Sequence, residues 1–138
     1  HMSVVCSGHV AEKVEDQIRE AQRMIDAGCK EYVFISNQLA KEDESEDVVK
    51  RRVEYLLNHI QADGFGIYEC PYPYKRVLSA GLLRWLALTG KFIFLKDTCC
   101  DVLQLKAKAD AVRGTGLKIY NANGATLLQS LKDGCAGY

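Results

Sequence analysis

A short strand-like run followed by a helix-like stripe recurs five times along this chain, and that recurrence constrains the fold more than any other feature. The strand-like runs are Ser3 to Ser7, Glu31 to Ser36, Phe65 to Tyr68, Lys91 to Lys96 and Leu117 to Asn121, so that one begins about every 30 residues. Each is rich in β-branched or aromatic residues, which suit a pleated surface. Between them the apolar spacing changes to three and four. Val14, Ile18, Ala21 and Ile25 mark the first helix, with Gly28 as its stop. The second repeats the device with Val49, Val53, Leu56 and Ile60. The third runs from a Ser79 N-cap through Leu82, Leu83 and Leu86 to Gly90, and the fourth follows Asp101 with Val102, Leu105, Ala109 and Val112 before Gly114. A shorter fifth helix is expected from about Ala125 to Gly134. Strand and helix alternating in this way predict an α/β protein with a parallel sheet. The near-continuous Phe92-Ile93-Phe94-Leu95 reads as a strand buried on both faces. Spacing alone leaves open whether the sheet is doubly wound or part of a barrel.

Composition removes several functional classes. With 48% hydrophobic and 26% charged residues the chain has material for a core, which excludes disorder. Lys plus Arg equals Asp plus Glu at 18 each, so no basic excess is present to neutralise nucleic-acid phosphates or to sit on an anionic membrane. The run Lys41 to Asp47 reads as a solvated loop leading into an acidic first helical turn. No apolar run approaches the roughly 20 residues that span a bilayer, and the N-terminus lacks a signal-peptide pattern. A cytoplasmic location is therefore expected. Cys6, Cys29, Cys70, Cys99, Cys100 and Cys135 form no C-x-x-C pair and no Cys/His spacing suited to zinc, so reduced thiols and no structural metal are expected. Residues 1–2 are expected to be a cloning remnant and residues 3–138 to form one domain.

In parallel α/β proteins ligands meet the carboxyl ends of the strands. There the chain places Ser7-Gly8-His9, Ser36-Asn37-Gln38, Tyr68-Glu69-Cys70-Pro71, Lys96-Asp97-Thr98 and Asn121-Ala122-Asn123. Lys96 ends an apolar strand, where burial would favour the neutral amine that attack on a ketone requires. The plainer reading is a lysine that emerges at the rim and pairs with Asp97. Tyr68 closes the preceding strand 28 residues earlier, which would put both side chains at one mouth. A phenol there can pass protons to a substrate oxygen, or it is simply a rim aromatic.

Tyr68-Glu69-Cys70-Pro71, then Phe94-Leu95-Lys96-Asp97-Thr98, Ile119-Tyr120-Asn121-Ala122-Asn123 and Gly134-Cys135-Ala136-Gly137, resemble the dihydrodipicolinate synthase / N-acetylneuraminate lyase family. The similarity runs over essentially the whole chain, from the family's third strand to the point where its eighth would begin. It implies an incomplete TIM (β/α)8 barrel of about five βα units, family strands three to seven. It also implies a lyase or aldolase in which Lys96 forms a Schiff base with pyruvate or a related 2-oxo acid and Tyr68 transfers protons, with an aldehyde or sugar acid as the other partner and no cofactor. Asn121, Asn37 and His9 are the substrate-binding candidates, with Cys99 and Asn123 as further pocket residues, or all of these are ordinary loop positions.

The chain also departs from the family pattern. The Gly-Thr-Thr/Ser-Gly-Glu type motif that holds the 2-oxo acid carboxylate has no counterpart here. Pro73 stands where dihydrodipicolinate synthases place an arginine, with Lys75 and Arg76 just beyond, and Asn37-Gln38-Leu39 replaces a tyrosine pair. Lysine biosynthesis is therefore not the expected role. A complete barrel takes about 250 residues, so exposed edges on the outer strands predict a homo-oligomer or a rearranged sheet, and little turnover from the chain alone. The alternative is a non-catalytic half barrel, an interaction or folding module. The last residues read as the start of a sixth strand.

Overall fold

A computed structural model of the chain describes residues 4–8 and 11–138. Five parallel strands form one sheet in consecutive order: β1 (Val5–Cys6), β2 (Glu31–Ile35), β3 (Gly64–Tyr68), β4 (Phe92–Asp97) and β5 (Lys118–Asn121). Between and after them come α1 (Val14–Asp26), α2 (Ser36–Leu39), α3 (Glu46–Leu57), α4 (Ala80–Leu88), α5 (Val102–Val112) and α6 (Leu127–Lys132), the last preceded by a 3-10 turn at Gly124–Thr126. Right-handed crossovers taken in consecutive strand order lay all helices on one face of the sheet. The sheet is open, and the architecture is an α/β partial barrel without closure.

The helix-facing side carries the core. The rings of Phe34, Phe65 and Phe92 lie side by side on three adjacent strands, with centroids 5.2 Å apart for the first pair and 6.0 Å for the second. Against them pack Val49, Val53 and Leu56 of α3, Leu82, Leu83 and Leu86 of α4, and Leu105 of α5, all fully buried. These are the stripe residues the spacing predicts. Ser79 caps α4 by accepting from the Leu82 N–H, and Asp101 caps α5 by accepting from Leu103 and Gln104. Gly28, Gly90, Gly114 and Gly134 each follow a helix with positive φ, the conformation that glycine adopts without a Cβ clash.

Two expectations are corrected. The β4 core is not buried on both faces: Ile93 is 39% exposed and Lys96 is exposed, because among the described residues no helix covers the second face. Ser36 does not end β2 but begins the one-turn α2. A register shift after Phe65 leaves Ile93 as an extra residue, so Phe92 and Leu95, three apart, both reach the helix side. The expected sixth strand is present as a parallel bridge of Gly137 to Tyr120. Asn121 donates its N–H to the Gly137 carbonyl and Ala136 to that of Ile119, which pairs part of the β5 edge.

Candidate active site

Parallel register sets the candidate site. Tyr68 pairs with Lys96, and Lys96 with Tyr120, so three side chains from adjacent strands stand in one row on the uncovered face at the carboxyl end of the sheet. The Lys96 ammonium sits over the Tyr68 ring, with Nζ 4.6 Å from the centroid, a cation–π contact. An open cavity of about 550 Å3 is lined by Phe94, Lys96, Tyr120, Ala122 and Tyr138. Its floor depends on Gly66, since a Cβ there would come within 2.3 Å of the Phe94 ring. Burial, together with the neighbouring Cys70 thiol, pushes the Tyr68 phenol above its ordinary value. It therefore stays protonated at neutral pH and can act as a donor.

The sequence-predicted residues separate into two groups. Lys96 and Tyr68 come together. The pairing of Lys96 with Asp97 does not occur, because successive strand residues point to opposite faces. Lys96 is also not desolvated as the dry-pocket reading requires. Asn121 is fully buried on the helix side, where its amide donates to Thr126 Oγ1 at 2.9 Å and Ser130 Oγ at 3.1 Å and accepts from the Asn123 N–H. The Asn37 amide nitrogen donates to the carbonyls of Cys70, Tyr72 and Tyr74 at 2.7–3.0 Å and so holds the loop after β3. The Asn123 side chain caps the 3-10 turn. His9 lies outside the described residues.

A cluster that the sequence reading did not single out lies directly beneath the pair. Glu69 follows Tyr68, Asp97 follows Lys96, and both point to the helix side, where Lys108 of α5 reaches them. Its Nζ is 2.6 Å from Glu69 Oε1 and 2.5 Å from Asp97 Oδ2. Glu69 and Asp97 are 0% exposed and Lys108 1%. Glu69 also accepts the Leu78 and Thr98 N–H groups, and Asp97 accepts that of Cys99. The signal was available: Lys108 falls on the core stripe of α5, three residues after Leu105 and four before Val112.

Burial pushes the Glu69 carboxyl above its usual range, against the opposing pull of the Lys108 ammonium and the Thr98 N–H. A carboxyl raised in the folded state holds its proton longer than in the unfolded chain. Its stabilising contribution is therefore full below the ordinary glutamate value of about 4.3 and is lost as pH rises through the raised folded value. We expect urea midpoints to fall with rising pH across that window, and Glu69→Gln to flatten the fall. An equally steep profile in the variant would contradict the assignment. Burial also pushes the Cys99 thiol up to about 12, which leaves it a poor nucleophile at neutral pH.

No family model matches the sequence. No curated protein matches it either. Solved structures do. A monomeric dihydrodipicolinate synthase variant superposes with a TM-score of 0.84 at 10% identity over 99% of this chain and 45% of its own. The Acinetobacter baumannii dihydrodipicolinate synthase, solved as a complex with pyruvate, gives 0.80 at 18% identity over 99% and 45%. This chain has the dihydrodipicolinate synthase fold. A 2-keto 3-deoxygluconate aldolase from Picrophilus torridus shares it, at 0.77 and 12% identity over 98% of this chain and 47% of that one. The motif resemblance thus holds at the level of the fold, and the chain spans a little under half the length of these enzymes.

Proposed function

We propose that this chain carries the amine and the phenol of a Schiff-base lyase or aldolase acting on a small 2-oxo acid. The observation that carries the reading is the row Tyr68, Lys96 and Tyr120 at the carboxyl ends of three adjacent strands, with the Lys96 nitrogen over the Tyr68 ring. That is where α/β enzymes hold their substrates, and the pyruvate complex of a structure with the same fold supports the substrate class. Lys96 Nζ, once deprotonated, attacks the ketone carbon. Tyr68, a retained proton donor, protonates the departing oxygen so that water leaves and the imine forms. The Tyr68 phenolate left by that step takes a methyl proton from the imine, which gives an enamine, the nucleophile for a partner aldehyde.

The face on which these steps take place is uncovered, with Tyr138 at 72% exposure beside the cavity. Net carbon–carbon cleavage by the chain alone is therefore expected to be slight, whereas the first steps need only the amine and the phenol. The same face favours association with a second copy, which would appear as a dimer in sedimentation. Deuterium uptake into the pyruvate methyl group in heavy water tests the chemistry directly, since exchange passes through the enamine. We expect slow exchange that is lost in Lys96→Ala. Equal exchange in the two proteins would overturn the proposal.

A further inference from the structure

We infer that Lys108 is a positioning residue for the Tyr68–Lys96 pair, acting through Glu69 and Asp97, and this rests on the reading of that pair as the reacting groups. The two strands that end in the pair each continue with one carboxylate on the opposite face, and both carboxylates hold the same ammonium. The connection to the reacting face is short. Glu69 donates its N–H to the Lys96 carbonyl at 3.1 Å, Thr98 Oγ1 donates to the Glu69 carbonyl at 2.7 Å, and Ala122 donates to the Asp97 carbonyl at 2.9 Å. The Glu69 carboxylate also accepts from Leu78, just before α4, while Lys108 arrives from α5. Thus β3, β4, β5 and two helices are tied at the level where Tyr68, Lys96 and Tyr120 project.

Stability does not account for such a cluster. Burying three charges gains little over an apolar core of the same volume, because desolvation offsets the attraction. What the cluster fixes is geometry. Both carboxylates are within 2.6 Å of one nitrogen, so the ends of β3 and β4 cannot slide or splay independently. Displacement of either strand end by 1 Å would lift Lys96 off the Tyr68 ring, and misplacement on that scale costs up to about a hundredfold in rate.

The test compares the native chain with Lys108→Met, with the charge-neutral combination Lys108→Met, Glu69→Gln and Asp97→Asn, and with Lys108→Arg. The combination leaves no buried charge unpaired and so keeps the test open even if the single change fails to fold. The first readout needs no substrate. Protons held over an aromatic ring resonate upfield, so the Lys96 ε-methylene signal reports its seat on Tyr68. We expect that shift in the native chain, its loss in the neutral combination with the sheet still folded, and its return in Lys108→Arg. Pyruvate trapping at Lys96 should fall with it by up to about a hundredfold. A folded neutral combination that keeps the Lys96 shift would overturn the inference. Loss of the shift in a protein whose native form never traps pyruvate would instead leave the positioning role standing and remove the reaction assigned to the pair.

Discussion

Lys108→Met is expected to cost the folded chain about 3–5 kcal/mol, the scale of leaving buried charges without their partner. Total stabilities of domains are roughly 5–15 kcal/mol, so this single change would bring the chain close to unfolding. Methionine fits the space but leaves the Glu69 and Asp97 carboxylates facing one another in a layer where each is 0% exposed. The loss has a characteristic pH dependence. With the ammonium gone, nothing offsets the burial that raises the Glu69 carboxyl in the folded state, so acidification should restore part of the stability and neutral pH should remove it. Urea unfolding followed by circular dichroism at several pH values measures both effects. A variant as stable as the native chain at neutral pH would show that the three charges are not interdependent.

Tyr68→Phe is expected to slow pyruvate methyl exchange by roughly 10²- to 10⁴-fold, the range of a well-placed general acid or base, while leaving stability almost unchanged. The substitution removes one hydroxyl and keeps the ring that carries the Lys96 ammonium. The amine therefore stays in place and only proton transfer is lost. Because burial holds the phenol above its ordinary value, the native rate should not fall from phenol ionisation until strongly alkaline pH. A Tyr68→Phe rate equal to the native one would assign the proton transfers to water or to another group.

The repeating unit was legible because two periods, about two in strands and 3.6 in helices, are written plainly in this chain. The stripes Val49-Val53-Leu56 and Leu82-Leu83-Leu86 became core residues. That Tyr68 and Lys96 stand side by side was legible because each lies at the end of one of two consecutive strands, which pair in a parallel sheet. What escaped was the second coordinate, the face on which each residue lies. Reading Lys96 and Asp97 as partners ignores the pleat, which sends neighbours in opposite directions, and Asp97 instead meets Lys108, 11 residues on. Reading Phe92-Ile93-Phe94-Leu95 as buried throughout assumed two covered faces, whereas consecutive strand order leaves one bare. Asn121 ends β5 as expected while Asn37 lies in α2, and their amides are engaged with Thr126 and Ser130 and with loop carbonyls. The Asn37 partners lie 33 to 37 residues away and those of Asn121 only 5 and 9, but all are chemically generic, so the sequence carries no distinct signal for them. Lys108 was readable as a charge on an apolar stripe, an anomaly that demands buried carboxylates.

We propose that Lys96, among all the lysines of this chain, is the imine-forming amine. That assignment is tested most directly by intact and peptide mass analysis after incubation with pyruvate and borohydride, which reduces any imine to a stable secondary amine. We expect one pyruvyl adduct, mapped to Lys96 and absent from a folded Lys96→Ala chain. Adducts spread over several lysines, an adduct unchanged in Lys96→Ala, or no adduct in a folded native chain would contradict it.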